Sequence, residues 1–218
     1  MSKINAINNT TGSLTIDPGV TGDSFLQLDI NATSEFRIGI DDDASDSFKI
    51  SQGSALGAND TFIMTDAGER TMPLQPCFLA RLNAVASNVT GNGDSWTVVA
   101  DNEIFDNNSD FASNTFTAPQ DGRYYLRLIV ASRNAQAANS ASVLTIVTSN
   151  RTYQLGRINQ FPIVAAGEGD YTFNSGVLVD MDASDTTYGV LAVYNGNKVI
   201  DINTAADMRT MFCGYLVC

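Results

Sequence analysis

The chain has no histidine among its 218 residues. That removes Ser-His-Asp and Cys-His nucleophilic centres, and every metal site that needs an imidazole ligand. Cysteine is scarce: Cys77, Cys213 and Cys218 are too few for a disulfide framework. Lysine is limited to Lys3, Lys49 and Lys198, and the formal net charge is −12. A chain so acidic, with no basic stripe carrying interleaved aromatics, repels a phosphate backbone, and nucleic acid is not an expected partner. No run of about 18 apolar residues is present, so no membrane insertion is expected. The start, Met1 to Asn9, lacks the apolar core of a signal peptide. Synthesis in a cytoplasm and release by lysis, as for a virion component, is the corresponding expectation.

What is present is rich in Ala, Asn, Asp, Thr, Ser and Gly, with enough aliphatic and aromatic side chains for a core. Turn formers in that number favour an all-β fold, and the length allows one or two domains. Residues 1–74 carry short alternating pieces starting at Phe25, Phe36, Phe48 and Phe62, the last three of the form Phe-x-(Ile/Met). Alternation of period two marks strands with one apolar face. Asp/Ser/Gly/Asn turns lie between them. Four such strands in about 40 residues bury little by themselves, so the segment is expected to need a partner surface, and three copies winding together would supply one. Pro73 and Pro76 then break the ladder. A second domain, 75–218, is expected to follow. It reads as a succession of strands separated by turns, the pattern of a sandwich. Two strands, Tyr124–Ala131 and Tyr188–Tyr194, are apolar at nearly every position. Burial on both faces is the expectation for them, with a second subunit on the outer side.

Two resemblances refine this reading. Ser34 to Ser51, followed by Leu56-Gly57, Asn59 to Phe62 and Gly68 to Thr71, is similar to the strand-turn-strand modules of tailed-phage fibre and other virion structural proteins. The second half, from about Cys77 to Cys218, resembles a C1q-like domain, a TNF-like jelly-roll sandwich that assembles as a trimer. Phe116, the turn Pro119-Gln120-Asp121-Gly122 and Tyr124 carry that resemblance at the family's spacing. Leu126 and Leu128 stand where the family usually has aromatics. Phe78 to Ala80 looks like the first strand, Gly176 to Asp185 like the strand and acidic turn before the last pair, and Phe212 to Val217 like the closing strand, with Gly214 and Tyr215 at its centre. No Gly-x-y run precedes the domain. The resemblance implies that Phe116, Gly122, Tyr124, Leu126, Leu128, Tyr188, Tyr194, Phe212, Gly214 and Tyr215 serve the core or the trimer contact.

Several clusters invite chemistry. Asp41, Asp43 and Ser45 alternate like the start of a calcium loop, but Asp46 and Gln52 replace the Gly and Glu that such a loop needs, so a solvated turn is the plainer reading. Asp180, Asp182 and Asp185 could line a calcium site near a trimer axis, as some C1q-like domains have; plain surface carboxylates are the alternative. No catalytic residue is nominated, and calcium is the one cofactor left open. In a jelly roll the first and last strands are antiparallel neighbours, which would bring Cys77 near Cys218; a disulfide there stands against reduced thiols in a cytoplasmic product. Cys213 reads as a small packing residue. Trp96, Tyr153, Tyr171 and Tyr194 read as core more readily than as receptor contacts. The tracts 88–94, 133–139 and 165–170 are the expected exposed loops. Taken together, the expectation is a homotrimeric phage virion protein. Its segment 1–74 would dock on other virion proteins, and its knob would bind a host surface glycan or protein by avidity. A head-fibre or cement protein without a receptor role, which a chain short for a tail fibre favours, and a polysaccharide depolymerase are the alternatives.

Overall fold

The structure, a computed structural model, describes residues 16, 18, 21–30, 34–165, 169–204 and 209–217. The chain divides into two compact units, Met1–Leu74 and Gln75–Cys218.

The first unit is one antiparallel meander of five strands, β1 (Ser24–Ile30), β2 (Ser34–Asp41), β3 (Ser47–Gln52), β4 (Asp60–Met64) and β5 (Arg70–Thr71), paired in chain order. Each of the four Phe-led pieces lies in one of β1 to β4. Register puts Leu26, Ile38, Ile50 and Phe62 in one cross-strand row, and Ile40, Phe48 and Met64 in the next. Residues directly opposite one another share a face, so the apolar positions of four strands form one continuous surface. That surface is not the buried one. In β3 the buried residues are Ser47, Lys49 and Ser51, while Phe48 and Ile50 between them are only half-buried. The polar face is closed by the segment between β3 and β4, where Leu56 is buried and the Gly57 amide donates to Ser51 Oγ at 3.1 Å.

A charge cluster sits under that segment. Lys49 Nζ lies 2.7 Å from Asp41 Oδ2 and 3.1 Å from Asp60 Oδ2, and Ser51 Oγ donates to Asp60 Oδ1 at 2.6 Å. Burial by itself would lower the Lys49 ammonium; the hydrogen bonds to Asp41 and Asp60 more than offset it and hold the group above its ordinary value. Gly57 has φ +85°, and a Cβ there would stand 2.5 Å from Asp41 Oδ2. The position therefore demands glycine for its backbone and for its space.

The second unit is a two-sheet antiparallel sandwich. Its strands are β6 (Cys77–Arg81), β7 (Ala86–Thr90), β8 (Ser95–Thr97), β9 (Asn102–Asp106), β10 (Phe111–Ala112), β11 (Thr115–Thr117), β12 (Gly122–Arg133), β13 (Ala141–Thr148), β14 (Thr152–Ile158), β15 (Tyr171–Met181), β16 (Thr186–Tyr194), β17 (Ile200–Ile202) and β18 (Met211–Leu216). One sheet runs β10-β11-β16-β13-β14, with β8 on β16. The other runs β7-β17-β12-β18-β6-β9, with β15 on β12. Stripped to the long strands, the orders are β11-β16-β13-β14 and β6-β18-β12-β15. The first strand pairs with the last, and the chain crosses between sheets in the manner of a jelly roll. The all-β jelly-roll expectation is met.

The core lies between the sheets. Phe78 is stacked between Phe111 and Phe116, with centroids 4.8 Å apart in each pair, and Phe212 meets Phe78 edge-on at 5.0 Å. Tyr124, Leu126, Leu128 and Val130 of β12 face this cluster and are fully buried. The buried Tyr124 hydroxyl donates to the Gln120 carbonyl at 2.7 Å, so burying the phenol leaves no polar atom unmatched.

Two elements differ from the sequence reading. The tract 88–94, expected as exposed loop, begins inside β7, and Thr90 is fully buried with its hydroxyl on the Asp94 carbonyl. Backbone pairing with β17 at the sheet edge requires no apolar pattern, so nothing in the side chains announced that strand. A five-residue helix, α1 (Phe161–Ala165), was also not expected. Asn159 Oδ1 accepts the Phe161 amide at 3.1 Å, and Pro162 falls in the first turn, where a missing N–H costs nothing. Within one copy, β12 and β16 bury alternate residues along most of their length, which leaves outward the faces expected to meet a second subunit. They lie in opposite sheets, so their outward faces point in opposite directions.

Candidate self-association face

The outward face of the β9-β6-β18-β12-β15 layer is unlike an ordinary solvated sheet face. Register lines up Leu178, Tyr125, Tyr215 and Cys77 in one row, and Gly176, Arg127, Cys213, Leu79 and Phe105 in the next. Ile129 and Met211 extend it. Leu178 is 52 % exposed, Tyr215 47 % and Phe105 44 %. An antiparallel sheet with one solvated face normally alternates apolar-in and polar-out; here apolar side chains occupy both sides. The inner set belongs to the core. The outer set is left exposed or half-exposed, with no further sheet described over it.

The face is pre-shaped. The Tyr125 and Tyr215 rings lie 5.7 Å apart at 48°. A Cβ at Gly176 would come within 2.5 Å of the Tyr125 hydroxyl, so the missing side chain lets the Tyr125 ring lie across β15. Arg127, the central charge, is held down: its Nε and Nη2 both donate to Asn174 Oδ1, at 3.0 and 2.8 Å. The guanidinium is thus engaged within the sheet, which lowers the cost of covering it.

The residues nominated from sequence separate into three groups. Phe116, Tyr124, Leu126, Leu128, Phe212 and Gly214 are buried between the sheets, with Gly122 at the start of β12. Tyr215 is on the outward face just described. Tyr188 and Tyr194 belong to β16 of the other sheet, and Tyr194 is exposed at its end. Tyr171 is buried with its hydroxyl 2.6 Å from Ser142 Oγ, and Trp96 and Tyr153 pack partly buried against the core. Leu178, Phe105 and Gly176 were missed as site residues. The signal that finds them is strand register, which a single sequence does not contain.

The carboxylates take structural parts. Asp185 Oδ2 accepts the Asp182 amide at 2.9 Å and the Asn150 side chain at 2.6 Å, closing the turn after β15. Asp180 lies opposite Arg123 on the outward face. The strand ends at Met181, so the alternation expected to align Asp180 with Asp182 stops between them. Asp41, the first residue of the calcium-like loop, is engaged by Lys49, and Asp42 to Ala44 form a short 3-10 turn. Among the described residues, no three Cys, Asp or Glu side chains gather closely enough to hold a metal ion.

The first and last strands of the sandwich are indeed antiparallel neighbours, with Cys77 opposite Tyr215. The other half of the expected disulfide, Cys218, lies outside the described residues. Cys77 and Cys213 are free thiols. Cys213 is not core packing: Phe212 points inward, so its neighbour points out, onto the same face as Cys77. Burial raises both thiols. At Cys77 the Asp106 charge adds to it, and at Cys213 the Arg127 charge only partly opposes it. Protonated thiols are poor nucleophiles, so the two cysteines enter this face as small, uncharged side chains.

No protein-family model and no curated protein matches the chain. Among solved structures it is similar to the globular domain of the zebrafish complement 1qA protein, at 15 % identity and a TM-score of 0.43, covering 66 % of this chain and 98 % of that one. It is also similar to murine APRIL, at 10 % identity and a TM-score of 0.46, covering 66 % of this chain and 99 % of that one. Both likenesses concern the fold alone.

Proposed function

We propose that this protein is a non-enzymatic structural component of a tailed-phage virion, a homotrimer whose jelly-roll knob binds a host surface molecule. The observation that carries the assembly part is the outward face of the β9-β6-β18-β12-β15 layer. A pre-shaped apolar surface around Tyr125 and Tyr215 is suited to protein contact, and closed symmetry lets identical copies cover it in one another. The virion part is supported by the resemblance of residues 12–72, roughly, to phage fibre modules. Three equivalent knob surfaces held on one axis would convert weak individual contacts with a host molecule into tight attachment. Residues 1–74 would provide the connection to other virion proteins.

Light scattering on the full chain tests the assembly: three copies are expected at micromolar concentration, and a monomer would overturn the reading. Tyr215→Glu is expected to give a folded monomer, because a carboxylate placed on the face must be desolvated to pack. Labelling the protein on the intact particle tests the virion part. Binding of the labelled trimer to sensitive host cells, but not to resistant ones, is expected. Particle labelling without cell binding would favour a capsid-decorating role, and release of reducing sugar from host polysaccharide would favour a depolymerase.

A further inference from the structure

The geometry points to a second self-association surface, independent in sequence and in fold from the knob: the apolar face of the β1–β4 meander, whose occupant is the same face of another copy of this chain. The proposal rests on the trimer reading for its choice of occupant, and it adds a second contact to that assembly.

The meander is built with its polarity reversed. Its covered side holds Lys49, Asp41, Asp60 and Ser51, while its open side is apolar in consecutive register rows. The most exposed members are Leu26, Leu28, Ile30, Phe36 and Ile40, with Ile30 at 69 %. Together with the half-buried members they form a contiguous apolar patch, the kind of exposed surface that marks a contact site on a soluble protein. A meander that closes its charged side with its own loop has already chosen which side needs no partner. The other side must be covered by something outside the sheet.

Three observations select another copy. The rows Leu26–Ile38–Ile50–Phe62 and Ile40–Phe48–Met64 contain no carboxylate, and the one charge that register adds is Arg70 beside Met64, so chains of net charge −12 can meet along these rows without opposing carboxylates. A groove of about 600 Å³ lined by Leu28, Ile30 and Phe36, with Gln27 and Asp29, opens at one end. It can receive side chains from an equivalent sheet, because apolar knobs and an apolar hollow occur on the same surface. Lastly, the meander joins the sandwich directly at Leu74 and Gln75. Once knobs associate, the attached meanders are confined near one another at an effective concentration on the order of millimolar. Identical sheets then meet before any other partner does.

The test is photo-cross-linking of the full chain carrying Leu28→p-benzoylphenylalanine, prepared as a mixture of light and uniformly heavy-isotope protein. Irradiation is expected to give covalent dimers and trimers in which position 28 of one isotope is joined to residues 24–64 of the other, and Ile38→Glu in the same chain is expected to abolish them. If light scattering still gives three copies but position 28 joins only its own chain, the sandwich of another copy, or nothing, this surface is not the contact and the knob trimer stands. If the chain is monomeric, the trimer reading fails and takes this one with it. If irradiation of intact particles joins position 28 to a different virion protein and not to another copy, the occupant is that protein and the inference is overturned.

Discussion

Lys49→Met provides the sharpest test of how the first unit is held. The side chains of Lys49, Asp41 and Asp60 are about nine-tenths covered. Removing the ammonium leaves two carboxylates facing the same emptied space, and breaking a buried ion pair from one side costs about 3–5 kcal/mol. The sheet is one layer deep and water is close, so the low end, ~3 kcal/mol, applies, which is roughly a hundredfold in a local opening constant. Trp96, the sole tryptophan, lies in the second unit and cannot report this. Amide hydrogen exchange of the peptides covering β2 to β4 is therefore the assay, with the Trp96 unfolding transition as an internal control expected to stay in place. Exchange in those peptides should accelerate about a hundredfold. The triple substitution Lys49→Met, Asp41→Asn and Asp60→Asn should recover most of the loss, because no charge is then stranded. The pH dependence has a definite sign. In the parent chain the folded Lys49 value is raised, so its contribution is complete below the ordinary lysine range and is lost as pH rises through the folded value. Unchanged exchange in Lys49→Met, or a triple variant no better than the single one, would refute the account of a charge cluster pinning the loop.

Further expectations follow from the same geometry. Phe78→Ala removes the ring between Phe111 and Phe116 and should destabilise the sandwich by about 3–5 kcal/mol, read from Trp96 fluorescence in denaturant. Gly57→Ala places a methyl against Asp41 at a positive φ and should cost about 1–2 kcal/mol, seen as faster exchange in β3 and β4 alone. Because burial raises the Cys77 and Cys213 thiols, site-resolved alkylation of the native chain near neutral pH should be slower than for an unfolded control, and should rise only in alkaline solution.

Much of the fold was legible because it rests on alternation. The four Phe-led alternating pieces became β1 to β4, and the Pro-Gln-Asp-Gly turn before Tyr124 opens the long central strand. Edge strand β7 and helix α1 were not legible, since the first depends on backbone pairing and the second on an Asn159 side-chain cap. The candidate face was half legible: Tyr215 stood out, while Leu178 and Phe105 did not.

By itself the sequence determined the chemistry this chain lacks and the class of its fold. Without histidine there is no imidazole to act as base or ligand, and alternating apolar residues between turn formers have few outcomes other than antiparallel sheets. The side of each sheet that closes was decided only in three dimensions. Alternation says that a strand has two faces, but register and neighbouring segments decide which one is covered. In β3 the covered face proved to be Ser47, Lys49 and Ser51 rather than Phe48 and Ile50, because Asp41 and Asp60 arrive from the adjoining strands to neutralise the lysine. In the sandwich, both faces of β12 are apolar over much of their length, and only the packing of the second sheet assigns Tyr124, Leu126 and Leu128 to the core and leaves Tyr125 and Ile129 facing outward.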